Sequence, residues 1–102
     1  MATLTSGTHY FTKLEVTSTT FDLIASWKFL SVGLSILNED QNPLNIVEYS
    51  FTGNEEDLHG ELIPGTSNGF VFDNKMCDKI YFRRKTAGDA VVVRIEAWRG
   101  TM

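Results

Sequence analysis

Apolar and polar positions alternate with a period of two along most of this chain, and a 3.6-residue helical stripe is nearly absent. That pattern, rich in Thr, Val, Ile, Phe and Tyr, predicts strands. From His9 to Val16, Tyr10, Leu14 and Val16 share one face, while Phe11, Lys13 and Glu15 take the other. A Thr/Ser turn at Thr17 to Thr19 leads into a second strand in TFDLIAS. WKFLSVGLSIL, Trp27 to Leu37, is the clearest strand signal. It puts Leu30, Val32, Leu34 and Ile36 toward a core and Ser31, Gly33 and Ser35 on the opposite face. That second face has little side-chain bulk, so a sheet, loop or subunit can approach it closely. A bulge or a solvated face is the plainer reading.

Asn38 to Pro43 is dense in turn formers, and Leu44 to Phe51 returns as a strand, so the flanking pair reads as an antiparallel hairpin with a longer loop. Thr52 to Gly60 is acidic and reads as a solvated surface loop. Pro64-Gly65 is a type II turn signal, because proline presets φ at the second position and glycine accepts positive φ at the third. Gly69 to Asp73 and Lys79 to Lys85 read as short strands. Thr86 to Ala90 reads as a tight turn, and Val91 to Trp98 as the closing strand with Val91, Val93, Ile95 and Ala97 inward. Seven or eight short strands at regular spacing predict an all-β fold, a single antiparallel β-sandwich or jelly-roll-like domain over residues 1–102. Residues 1–8 read as a possible arm that pairs in its own domain or exchanges into a neighbour. No segment supports the crossover helix of a βαβ unit.

Composition narrows the classes. One domain is expected at 102 residues, with ordinary hydrophobic (42%) and charged (22%) shares. A net charge of −4 argues against general binding to nucleic-acid phosphates, so no direct nucleic-acid partner is expected. The single cysteine, Cys77, excludes an internal disulfide scaffold. The start lacks a basic stretch followed by an apolar one, and the apolar runs are far short of the ~20 residues of a membrane span. Production in a cytoplasm and no membrane partner are the expectations.

Candidate chemistry is sparse. His59, Glu61, Glu55, Glu56 and Asp57 are possible cation ligands, but neither a zinc spacing nor an EF-hand pattern is present, and solvated loop charge explains them. Cys77 has no recognisable histidine partner and reads as a small apolar residue. Glu48 and Glu96 can be nominated as a glycosidase pair, without support from spacing. No catalytic residues, cofactor or metal are therefore expected. The pointed feature is the basic cluster Lys79, Arg83, Arg84 and Lys85. Strand alternation sends Lys79, Tyr81, Arg83 and Lys85 outward, where Arg94 and Glu96 of the following strand are expected as cross-strand partners. A charged, solvated sheet face and a patch for an acidic neighbouring subunit explain this cluster about equally well.

The stretch PGTS…FVFDN…DKIYFRRKTAGDAVVVRIEAW resembles a pattern in small bacteriophage virion proteins. A proline-glycine turn with a nearby serine precedes a short strand, then a K-I-Y-h-R strand, a glycine-containing turn and an alternating strand ending in A-W. The matching positions are Pro64, Gly65, Ser67, Phe70, Lys79, Ile80, Tyr81, Arg83, Gly88, Val91, Val93, Arg94, Ala97 and Trp98. The TSNG stretch after the turn and Met76-Cys77 depart from it. The resemblance implies a non-enzymatic β-sandwich part of a phage particle. Most directly it implies a capsid decoration or cement protein, located in the virion after assembly in the host cytoplasm. Its partners would be the major capsid protein or other virion proteins, and it would form a homo-oligomer, a trimer by preference. Lys79, Tyr81, Arg83, Lys85, Arg94 and Trp98 are the candidate partner-interface residues. The alternatives are a tail or adaptor component, or a carbohydrate- or receptor-binding sandwich with Trp27 and Trp98 together on an open face.

Overall fold

The computed structural model describes residues 9–99, so the expected arm at 1–8 lies outside the described residues. Eight strands follow one another: β1 (His9–Val16), β2 (Leu23–Ser26), β3 (Gly33–Asn38), β4 (Val47–Ser50), β5 (Gly60–Leu62), β6 (Gly69–Phe72), β7 (Lys79–Arg84) and β8 (Val91–Trp98). They form two antiparallel four-stranded sheets, β1-β8-β3-β6 and β2-β7-β4-β5. Every connection except β4 to β5 passes from one sheet to the other. This is an all-β sandwich with jelly-roll strand order. No helix among the described residues is long and apolar enough to cross a membrane.

The inward residues of the two sheets meet in one core. Val91, Val93, Ile95 and Ala97 of β8 face Ile80 and Phe82 of β7, with Val16, Ala25, Trp27, Leu34, Ile36, Val47, Tyr49 and Leu62 completing the cluster. Tyr10 and Leu14 of β1 pack half-buried at its margin. Each large apolar side chain buried here contributes about 1.5–3 kcal/mol, so the period-two pattern is the main source of stability.

Two pairings expected from the sequence do not form. The strand through Leu37 and the one around Val47 are not a hairpin: β3 pairs with β6 and β8, while β4 pairs with β5 and β7. β7 and β8 are not neighbours either, because Thr86 to Ala90 carries the chain between sheets. Alternation dictates which face of a strand is buried, but not which strand lies beside it.

The stretch before β3 also departs from expectation. β3 starts at Gly33, and Ser31 is fully buried, its hydroxyl donating to the carbonyls of Lys75 (2.7 Å) and Cys77 (3.0 Å). Leu30 and Val32, expected in the core, are exposed. Gly33 lies under the indole of Trp98, its register partner on β8; a Cβ there would sit 2.1 Å from Trp98 Cε2. The open face expected at Gly33 is thus filled from within the sheet. The Pro64-Gly65 turn forms as expected: Gly65 has φ 82° and the Ile63 carbonyl accepts from the Thr66 N–H at 3.2 Å.

The polar connections have a regular construction. Asn38 Oδ1 accepts from the Asp40 N–H, Asp40 Oδ1 from Asn42, and Asn42 Oδ1 from Leu44, at 2.8–3.0 Å. Ser50, Thr52 and Asn54 do the same for the N–H groups of Thr52, Asn54 and Glu56. Side chains at every second position therefore replace the backbone partners that a loop lacks. The Asn42 N–H, and after it the Asn45 side chain, hold the Asp40 carboxyl below its usual range. A carboxyl with a depressed native pKa contributes stability that is complete above its unfolded value, here 3.8, and is lost as pH falls below that. Asp40→Asn is therefore expected to narrow the gap between urea midpoints measured at about pH 6 and about pH 3. An unchanged gap would remove Asp40 from the acid response.

Candidate functional site

The outer face of the second sheet carries Lys79, Tyr81 and Arg83, with Lys85 just beyond β7. Register sets Arg83 opposite Glu48 on β4, and Arg83 Nε donates to Glu48 Oε1 at 2.8 Å. The loop after β4 folds back so that Glu55 accepts from Arg83 Nη1, while its other oxygen accepts from the Phe21 N–H. The Phe21 ring lies 4.2 Å from the guanidinium carbon. Desolvation alone would lower the Arg83 pKa; the hydrogen bond and charge of Glu48, followed by those of Glu55, outweigh it and hold the guanidinium above its usual value. Lys85 bonds Glu61 at 2.9 Å, which raises its pKa. Tyr81 is half-buried and Lys79 is exposed. The acidic stretch expected to be solvated thus supplies a counter-ion to the basic cluster, in which Arg83 and Lys85 are paired with carboxylates while Lys79 is exposed.

Arg94 and Trp98 belong to the first sheet and so face the opposite side of the sandwich. The six candidate contact residues are therefore split between two faces. Arg94 lies 3.7 Å from Glu39, which also pairs with Lys13 at 3.3 Å, and His9 pairs with Glu96 at 2.7 Å. Glu48 and Glu96 are likewise on opposite faces, which removes them as a carboxylate pair. Arg84, counted in the basic cluster from sequence, points into the sandwich and is 2% exposed. Trp27 is buried as well: its indole N–H donates to the Cys77 carbonyl at 3.0 Å and its ring lies 5.4 Å from Tyr10. It does not share an open face with Trp98.

A surface that alternation missed lies at one end of the sandwich. The Lys75 N–H donates to the Val32 carbonyl, the Ser31 N–H to the Cys77 carbonyl, and the Val32 N–H to the Trp98 carbonyl, each at 2.8 Å. These bonds bring Met76 alongside Leu30 and Val32, next to the end of β8. Leu30 is 47% exposed, Val32 39% and Met76 63%. Leu30 and Val32 fit the core stripe of β3 too well to be suspected; only the neighbouring Gly33 marked the break. Burial pushes the Cys77 thiol up, against thiolate formation. His59 packs edge-on against Phe51 at 4.8 Å. Among the described residues no group of three or more His, Cys, Asp or Glu can hold a metal ion.

No protein-family model matches this chain, and no curated protein matches it. Solved structures of similar shape exist. The NLP core of Drosophila, in a study of pentamer formation and histone binding, is 13% identical, aligned over 91% of this chain and 99% of that one, with a TM-score of 0.45. A protein of Bacillus endospore appendages, a family of disulfide-linked pili, is 15% identical over 98% of this chain and 96% of that one, with a TM-score of 0.37. Likenesses this distant carry no argument about what the present chain does.

Proposed function

We propose that this protein is a non-enzymatic structural module of a phage particle, a decoration or cement protein that bridges subunits of the head. The observation that carries this reading is the exposed apolar rim of Leu30, Val32 and Met76 beside Trp98. Removing such side chains from water is the main driving force for association, and exposed apolar clusters rimmed by polar residues mark interaction sites. The charged outer faces are largely paired within the chain, so the rim offers more binding energy than they do. The rim supplies the contact with the major capsid protein or another virion protein, and many copies on one shell multiply a modest single contact through avidity. A homo-oligomer is part of this reading, and the sequence resemblance favours a trimer.

In particles purified from the producing host, the chain is expected to co-sediment at a fixed ratio to the major shell protein. Its absence from otherwise complete particles would overturn the reading. Leu30→Asp combined with Met76→Asp is expected to abolish incorporation while leaving the melting temperature within a few degrees of the parent, because both side chains are already exposed. Undiminished incorporation of that variant would remove the rim from the contact.

A further inference from the structure

Four strands lie at sheet edges, and three of them are short: β2 and β6 have four residues each and β5 has three. The fourth, β1, has eight, all registered with β8 on one side, His9 with Trp98 through to Val16 with Val91. On its other side no backbone group of β1 bonds to another described segment. Short edges protect themselves, whereas a long free edge is a template for another strand unless its side chains forbid pairing.

The outward side chains of β1 are His9, Phe11, Lys13 and Glu15, and Phe11 is 52% exposed. Charges on an edge deter pairing with an arbitrary strand, but Lys13 and Glu15 have opposite signs and lie two residues apart. Such an arrangement can complement itself in an antiparallel copy, where residues directly opposite share a face. Three twofold registers are available near the middle of the strand. Centred on Lys13, two lysines face each other. Centred on Leu14, the ladder stops after five residues, because the chain leaves the edge beyond Val16 and the Ser18 carbonyl accepts from Arg84. Centred on Thr12, seven residues pair. His9 then faces the partner's Glu15, Tyr10 faces Leu14, Phe11 faces Lys13, and Thr12 faces its own copy. Lys13 then lies over the partner's Phe11 ring and Glu15 meets the partner's His9, beside the bonds that His9 and Lys13 make within their own chain to Glu96 and Glu39. Tyr10 and Leu14, half-buried at the core margin, come together on the inner face.

We infer that β1 is the self-association edge of this protein, and that two copies pair their β1 strands antiparallel about Thr12 into one continuous eight-stranded sheet. The contact is isologous, so it closes at two copies, in place of the trimer that the sequence resemblance favours. It is independent of any shell partner, since it concerns only two copies of this chain.

The test is the mass of the full chain in solution, by light scattering across a concentration series. A dimer of twice 11.5 kDa is expected. A monomer at every concentration, or a discrete trimer, would overturn the inference. Phe11→Lys places a lysine opposite the partner's Lys13 twice over, and it is expected to weaken the dimer at least tenfold. Because Phe11 is exposed, its circular dichroism melt should stay near the parent's. Adding Lys13→Glu to that variant restores complementary pairs and is expected to recover dimerisation. A dimer indifferent to Phe11→Lys, or one that the second change fails to recover, would rule out the Thr12 register and with it the inference. Particle co-sedimentation is read separately, so either result can fail without the other.

Discussion

Arg84→Met is expected to lower the stability of the domain by about 3 kcal/mol, a fall in melting temperature of roughly 12–24 °C for a domain of this size. The guanidinium is buried and forms no ion pair with a carboxylate among the described residues. Its Nε donates to the Thr86 carbonyl at 2.8 Å, Nη1 to the Asp89 carbonyl at 2.6 Å and Nη2 to Asn45 Oδ1 at 2.9 Å. Those acceptors belong to the crossover from β7 to β8 and to the connection from β3 to β4. The side chain therefore ties two inter-sheet passages together at one end of the sandwich. Methionine matches much of its length but leaves three part-buried acceptors without that donor, and an acceptor that water does not reach costs about 1–3 kcal/mol. Relief from burying a charge offsets part of that sum. Arg84→Lys is expected to lose less, because an ammonium still reaches some of the three acceptors, although it lacks the planar fork. A thermal melt unchanged in Arg84→Met would show that the crossover holds its shape without this side chain.

Asn38→Asp is the second substitution with a large expected effect, a loss of about 3 kcal/mol near pH 7. Asn38 is fully buried at the end of β3, where its amide nitrogen donates to the carbonyls of Asn45 (2.9 Å) and Leu62 (3.2 Å) while Oδ1 accepts from the Asp40 N–H. A carboxylate of the same shape turns two donated bonds into two oppositions of negative oxygen. Burial raises the native pKa of such a group, so the native state binds the extra proton and stability falls as pH rises through the unfolded value. The variant is therefore expected to regain part of its loss near pH 4, in urea titrations at matched ionic strength. A loss independent of pH would mean that the charge is not what the site rejects. Asn45 receives a bond from Asn38 on its carbonyl and one from Arg84 on its side chain. The losses in the double variant Arg84→Met with Asn38→Ala should consequently sum to less than the two single losses.

Both residues show where the chain was readable and where it was not. The inward sets on β7 and β8, namely Ile80 and Phe82 with Val91, Val93, Ile95 and Ala97, follow from alternation alone, and all are buried. Arg84 continues the inward stripe of β7 by parity, yet a cation reads as surface until the carbonyls that receive it are known. Ser31 differs, since parity put it on the outward face and only the carbonyls of Lys75 and Cys77 that receive its hydroxyl explain its burial. The Asn38-Asp40-Asn42 series was visible as turn formers, because each side chain bonds a backbone group two residues away, whereas Ser50 read as strand and Thr52 to Gly60 only as a solvated loop, so the Ser50-Thr52-Asn54 series was not foreseen.

The chain by itself determined the strand class, the inward face of most strands, the type II turn at Pro64-Gly65 and the turn-forming stretch from Asn38 to Pro43. Each depends on neighbours one to four residues apart. Only the tertiary structure decided that β3 lies between β6 and β8, that Arg83 spends its charge on Glu48 and Glu55, and that Arg94 and Trp98 face away from the rest of the proposed patch. It also decided that Leu30, Val32 and Met76 form an exposed rim. The physical reason is common to all of these. Period-two patterning encodes burial, which is non-directional, whereas strand partnership and ion pairing depend on which distant segments the crossovers bring together.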